Sequence, residues 1–271
     1  MVTALIFDCD GVLADTERDG HRVAFNQMFQ EFGVPFTWSE ESYGEALAIA
    51  GGKERMRSLL TDEFVERAGL PRDEDGQTAL IADWHRRKTE VYAEMVTDGR
   101  LPARAGVARL AADAAEAGWS LAVASTSSEP SVRAVLSHVM DSGTASRFCI
   151  LAGDVVANKK PAPDIYELAL DRLAADPAAT VVIEDSRNGL LAAVGAGLAC
   201  LVTVSSYTAN EEFSEAALVV SSLGEPGGEQ TQVLATHGVR PSLPYVTLDD
   251  LTACLADEHG GPGPDEGGSG G

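Results

Sequence analysis

Residues 3–15 read Thr-Ala-Leu-Ile-Phe-Asp-Cys-Asp-Gly-Val-Leu-Ala-Asp, and this stretch restricts the fold more than any other in the chain. Thr3 to Phe7 is a short apolar run with β-branched and aromatic members, the pattern of a buried strand. It ends in Asp8 and Asp10, one residue apart, and then Gly11, which permits a sharp backbone turn. Buried strands of an α/β sheet point their carboxyl ends at the ligand crevice. Two carboxylates there are costly unless something positive sits between them. A hard cation that takes oxygen ligands, such as magnesium, meets that need. Taken alone, an Asp-x-Asp pair is more simply a solvated turn. The rest of the chain changes that balance.

The 271 residues admit one large domain or two small ones, and 45% hydrophobic residues suffice for a sizeable core. From Glu17 to about Asp98 the apolar residues recur at helical spacing: Val23 to Phe29 and Phe32; Leu59, Leu60, Phe64 and Val65; Leu80 to Met95. No strand-like run interrupts them, so a small all-helical unit is expected after the first strand. From Leu101 the grammar changes to alternating strand and helix. Strands are expected at Ser120–Ser125, Phe148–Leu151, Thr180–Ile183 and Ala199–Thr203, with helices at Gly106–Ala117, Pro130–Val139, Pro163–Leu173 and Asn188–Gly197. Such alternation predicts an α/β fold, a doubly wound parallel sheet with an inserted helical cap. Ala217–Ser221 reads as its last edge strand. Residues 224–244, rich in Gly and polar residues, read as a surface loop. Val246 to Leu255 reads as a turn and a short closing helix. The expected division is 1–16 with 100–257 as core, 17–99 as cap and 258–271 as a disordered tail.

The formal net charge of -22 argues against nucleic acid or an anionic membrane as partner, since phosphate backbones need Lys and Arg. It leaves open a small phosphate ester, because a few local cations can reverse the sign inside a pocket. Cys9, Cys149, Cys200 and Cys254 are widely spaced, without a Cys-x-x-Cys pair, so zinc and dithiol chemistry gain no support. No leader-like or membrane-length apolar run is evident. A cytoplasmic, reducing setting and a monomer are the expectations.

Each strand end carries a polar group at the same edge of the expected sheet: Asp8 and Asp10, then Ser125, then Glu184 and Asp185, with Lys160 just after the third strand. Carboxylates, a hydroxyl and an ammonium meeting in one crevice suit phosphoryl transfer. A metal neutralises the acids and the phosphate oxygens, a carboxylate attacks phosphorus, and Lys and Ser hold the equatorial oxygens. Phe7-Asp-Cys-Asp-Gly-Val-Leu13, Val123-Ala-Ser-Thr-Ser127, Lys160-Pro-Ala-Pro-Asp164 and Ile183-Glu-Asp-Ser186 resemble the four ordered motifs of the haloacid dehalogenase superfamily, and the helical insert resembles its α-helical cap. The resemblance implies Asp8 as nucleophile and magnesium ligand. It implies Asp10 as general acid, then base, with its main-chain carbonyl on the metal. Asp185 would be a ligand, and Glu184 either a ligand or a group behind it. Ser125, Thr126 and Lys160 would bind the phosphoryl group. Dehalogenases usually carry one aspartate where this chain has two, so Asp10 favours phosphate chemistry.

The cap stretches Asp15 to Arg22 and Tyr43 to Met56 resemble the CbbY-type branch, whose members dephosphorylate a sugar bisphosphate, xylulose 1,5-bisphosphate. A bisphosphate needs a second cationic site away from the metal. Gly51 and Gly52 would expose backbone N–H groups at a helix start beside Lys53 and Arg55. His85 to Lys88 form a second basic cluster, in which His85 and Lys88 share a helix face. Glu17 and Tyr43 would meet sugar hydroxyls. Two other readings remain: a phosphomutase resembling β-phosphoglucomutase, and a phosphosugar-binding protein without turnover. Ser128-Glu129 departs from the Asn-Glu or Lys-Asn pairs of relatives, which leaves the contacts around the phosphate loop open.

Overall fold

The computed structural model describes residues 3–49, 51–239, 241–242 and 244–256. The expected disordered tail, 258–271, lies outside them. Among the described residues, seven strands form one sheet: β1 (Ala4–Phe7), β2 (Ser120–Ser125), β3 (Phe148–Ala152), β4 (Thr180–Glu184), β5 (Ala199–Thr203), β6 (Leu218–Val220) and β7 (Val233–Thr236). Their order is β3-β2-β1-β4-β5-β6-β7. The chain builds outward from β1 through β2 to β3, then returns to lay β4 on the other side of β1. The ends of β1 and β4 therefore flank the point where strand order reverses, where α/β sheets open a crevice. Phe7 pairs with Ile183 in parallel register, and the Asp8 N–H donates to the Ile183 carbonyl at 2.9 Å.

Strands β1 to β6 pair in parallel, as expected, but β7 is antiparallel to β6. This corrects two expectations. Residues 224–244 are not all loop, and 217–221 is not the sheet edge. Val233-Leu-Ala-Thr236 is a four-residue run in a Gly-rich context, and its four residues are exposed. No alternation of buried and solvated positions marks it, and only pairing with β6 makes it a strand.

Helices cover both faces. Leu5 and Phe7 point to one side, toward α6 (Val107–Glu116), α7 (Glu129–Val139) and α11 (Leu248–Ala256), while Ile6 points to the other, toward α9 (Asp164–Leu173) and α10 (Arg187–Gly195). A short α8 (Ser142–Ala145), not expected from the sequence, precedes β3. Caps fix several starts. The Ser128 side chain accepts from Ser131 N–H at the head of α7, with Pro130 in the first turn.

Between β1 and α6 lie a π-helical turn, Thr16–His21, and five helices: α1 (Arg22–Glu31), α2 (Glu40–Ala46), α3 (Gly52–Arg57), α4 (Asp62–Ala68) and α5 (Glu74–Thr97). They share an apolar cluster of their own, in which Phe29 meets Trp38 and Trp84 edge-on at ring distances of 5.3 and 5.6 Å. The chain enters and leaves this unit side by side, since Ala14 bridges Ala103 and Arg104 N–H donates to the Leu13 carbonyl at 3.0 Å. Ala24, Val91, Met95 and Val96 belong to the core under the sheet, so the ends of α1 and α5 seat the unit on it. Among the described residues no helix is long and apolar enough to cross a membrane.

Candidate active site

Because β1 and β4 are neighbours, their last residues meet. Oxygens of Asp8, Glu184 and Asp185 lie within 4.8 Å of one another, and all three residues are buried. Lys160, from the loop after β3, reaches into the same place. Its Nζ donates to Asp8 Oδ1 at 2.6 Å, to Glu184 Oε1 at 2.6 Å and to the Ala124 carbonyl at 3.0 Å. All three ammonium protons are thus engaged.

One ammonium cannot balance three buried acids. Burial pushes the Asp8 carboxyl well above its ordinary range; Lys160 pulls it down, while Glu184, Asp10 and Asp185 push it up. Asp185 is pushed up to about 8, first by burial and then by Glu184, against a Ser205 hydrogen bond, Arg104 and Lys160. Burial works against the charge on Lys160, but Asp8 and Glu184 outweigh it and hold the ammonium above its ordinary pKa. The cluster wants a further cation.

Two glycines make the room. Gly11 has φ +81°, and a Cβ there would overlap the Asp185 carboxyl; a Cβ on Gly189 would overlap that of Glu184. Glu184 is also held from behind, since Tyr166 Oη donates to its Oε1 at 2.5 Å and the Asp185 N–H to its Oε2 at 3.2 Å.

Asp10 sits apart from this trio. Its Oδ1 accepts from Thr16 Oγ1 at 2.8 Å, and its Oδ2 from Ser127 Oγ at 2.6 Å and Ser125 Oγ at 3.3 Å. Three hydroxyls therefore aim its carboxylate. Ser127 and Thr16 are site residues that sequence reading missed. The available signal was the hydroxyl at every position of Ser125-Thr-Ser127.

A cleft of about 360 Å³ opens over Asp8, Asp10, Lys160 and Asp185, with Thr126 on its wall. Of the cap residues expected here, Glu17 lines it; Leu47 joins it from beyond the end of α2. Tyr43 and Arg55 stand behind Glu17: Tyr43 Oη donates to Glu17 Oε2 at 2.7 Å, and Arg55 Nη1 donates to Tyr43 Oη at 2.9 Å. Gly51, Gly52, Lys53, His85 and Lys88 do not line the cleft. Lys53 is exposed while Arg55, two residues on, is buried, because the short helix α3 turns one inward and the other out. The basic cluster on α5 also divides. Arg86 pairs with Asp83 at 2.9 Å and Arg87 with Glu31 at 2.6 Å, both outside the site. Lys88 turns inward, with its Nζ 2.9 Å from His21 Nδ1 and 4.8 Å from the Phe25 ring centroid. Burial, helped by Arg55 and opposed by Glu17, lowers it to about 8. Burial likewise holds His21 well below the usual histidine range, with Lys88 and Arg55 adding to it.

A family model described as haloacid dehalogenase-like hydrolase matches residues 2–197. The chain is 46% identical over 229 residues to a CBBY-like protein of Arabidopsis thaliana, covering 84% of this chain and 71% of that one. It is 44% identical to Protein CbbY of Cereibacter sphaeroides, covering 84% and 95%. Among solved structures, a mutant CbbY from Rhodobacter sphaeroides in complex with xylulose-(1,5)bisphosphate is similar at TM-score 0.64 and 43% identity, covering 84% of this chain and 97% of that one.

Proposed function

The chain belongs to the haloacid dehalogenase-like hydrolases, and from that membership we propose a magnesium-dependent phosphatase that removes phosphate from a small sugar bisphosphate, with xylulose 1,5-bisphosphate as substrate. It is a phosphoric monoester hydrolase. The observation that carries the reading is the meeting of Asp8, Lys160, Glu184 and Asp185 beside a separately held Asp10. The bisphosphate is supported by the relative whose structure contains it. Residues 1–16 with 100–257 serve as the catalytic core and 17–99 as a cap, working as a monomer in a reducing cytoplasm.

Three buried carboxylates with one ammonium fit a divalent cation that prefers oxygen. Asp8, Glu184 and Asp185, with the Asp10 carbonyl, would hold it; when bound it draws negative charge from the phosphate oxygens. The remaining chemistry belongs to the chain. An Asp8 oxygen bonds to phosphorus while the bond from phosphorus to the sugar oxygen breaks. That oxygen takes a proton from Asp10, whose direction is set by Thr16, Ser125 and Ser127. Asp10, now ionised, takes a proton from water, whose oxygen attacks the aspartyl phosphate. The bond between Asp8 and phosphorus breaks, and inorganic phosphate leaves. Lys160 exchanges one of its three acceptors for a phosphoryl oxygen. Glu17, backed by Tyr43 and Arg55, meets the sugar.

The test is phosphate release from a panel of phosphorylated sugars with magnesium. The highest kcat/KM is expected for xylulose 1,5-bisphosphate. Isomerisation of a hexose phosphate without phosphate release would favour the mutase reading, and failure of every sugar phosphate would overturn both.

A further inference from the structure

Tyr166 sits in the first turn of α9, and its side chain is fully buried. It belongs to the apolar cluster on that face of the sheet, with Ile6, Ala124, Leu151 and Val182. A phenylalanine would fill such a place as well. A phenol there is costly unless its hydroxyl finds a partner. The partner is Glu184, whose Oε1 accepts from Tyr166 Oη at 2.5 Å. The same Oε1 accepts from Lys160 Nζ at 2.6 Å, and that nitrogen stands over the Tyr166 ring, 5.0 Å from its centroid. One side chain thus touches both members of the Lys160–Glu184 pair, with its hydroxyl on the acid and its ring face toward the ammonium.

An ionised carboxylate offers about four acceptor positions, shared equally by its two oxygens. In Glu184, Lys160 and Tyr166 take both positions on Oε1. Oε2 accepts from the Asp185 N–H at 3.2 Å, which leaves one position on that oxygen. The carboxyl is also confined, since it lies against Gly189, where a Cβ would stand 2.0 Å from each oxygen. With Oε1 filled, Glu184 meets a cation through a single oxygen. Without the Tyr166 hydroxyl, Oε1 regains a position and both oxygens can face one ion. That difference separates two hard cations. Magnesium demands near-ideal octahedral geometry, whereas calcium takes more oxygens in a looser arrangement and accepts a carboxylate through one oxygen or both.

We propose that Tyr166 is a positioning residue that sets the cation preference of the site, by reserving Glu184 Oε1 for Lys160 and leaving Oε2 alone to the metal. The hydroxyl acts through Glu184 and touches neither the ion nor the phosphoryl group. This role rests on the phosphatase reading only for the presence of a divalent ion beside Asp8, Glu184 and Asp185, and it does not depend on the sugar.

The probes are magnesium chloride and calcium chloride, each titrated alone into the wild-type chain and into Tyr166→Phe and followed by calorimetry. Phenylalanine keeps the ring, its packing and its face toward Lys160, and melting curves report that both chains are folded. Magnesium affinity is expected to fall by about tenfold or more, the size of effect seen when a group behind a metal ligand is removed. Calcium affinity should hold within about threefold, since a looser carboxylate suits that ion. Calcium binding that appears only in the variant has the same meaning. Equal losses for the two ions would make Tyr166 a plain support of the carboxylate and overturn the inference. So would unchanged affinity for both, or a wild-type chain that binds calcium and not magnesium. Equal losses or unchanged affinities leave the phosphatase reading standing. A wild-type chain that binds neither ion removes the inference together with the metal-dependent reading.

Discussion

Lys160 Nζ lies 2.6 Å from Asp8 Oδ1 although 152 residues separate them in the chain. The contact ties the loop after β3 to the end of β1, and Glu184 on β4 completes it at 2.6 Å. A single ammonium is thus shared between the proposed nucleophile and a proposed metal ligand. Its removal should leave two buried acids without a counter-charge. Lys160→Ala is expected to lose about 3–5 kcal/mol of stability near neutral pH. The wild-type ammonium stays charged throughout the neutral and acid range, so the gap should narrow as pH falls and the orphaned carboxyls take up protons. Urea denaturation of both chains at two pH values measures it; equal stability at neutral pH would show the pair is not a source of stability.

Asp8→Asn removes the attacking oxygen while keeping shape. Turnover should fall by about 10³-fold or more, as when a covalent nucleophile is deleted, with the far-UV spectrum unchanged. Substantial residual phosphate release would reject the role.

Asp185 carries a pKa pushed from 3.8 to about 8. A raised folded-state value means that the folded chain holds this proton more tightly than the unfolded one. Metal-free stability should therefore fall as pH rises across that window. Magnesium needs the ionised form, so its affinity should rise with pH up to about 8 and its binding should release protons. Melting curves at pH 5.5 and 8.0, with magnesium and with chelator, test both signs. In Asp185→Asn the pH-dependent loss should shrink; a melting temperature in chelator that rises with pH would contradict the argument.

Gly11→Ala and Gly189→Ala should disturb the metal site, and Gly11→Ala should also lower stability because its φ of +81° strains an alanine. Each new Cβ falls on a carboxyl of the trio, Asp185 in one case and Glu184 in the other. Magnesium affinity, measured by calorimetry, should drop by about tenfold or more, the size of effect seen when the groups orienting a ligand are disturbed. Unchanged affinity in both variants would mean the carboxyls have other places to go.

Arg55 and Lys53 should separate. Arg55 is buried and holds Tyr43, which holds Glu17. Arg55→Ala should raise KM for a sugar bisphosphate by about 10- to 100-fold, the cost of one charged hydrogen bond, with little effect on an aryl monophosphate. Lys53→Ala, at an exposed position, should change either KM by no more than about threefold. Equal losses on both substrates would mean that the buried arginine serves the whole site and not the placement of Glu17 against the sugar.

Much of this protein was legible in one dimension. The apolar runs of β1 to β6 and the acids that end β1 and β4 are local features. Strand periodicity and the cost of unbalanced buried charge follow from neighbours in the chain. Those features place Asp8, Asp10, Ser125 and Asp185 at strand ends, with Lys160 just after the third strand. The cap was less legible. Arg55 and Lys53 look alike in sequence, and only the packing of α3 decides which is buried. The strand β7 has no internal pattern and exists through its partner β6.

Local pattern alone supplies the chemical groups and the strand ends that carry them. Which of those groups touch is a matter of how distant stretches pack. The return of the chain that lays β4 beside β1 brings Glu184 and Asp185 onto Asp8, and Thr16 and Ser127 onto Asp10 are further products of folding. Contacts between distant residues are set by the free energy of packing the whole sheet, and no short stretch of chain encodes that sum.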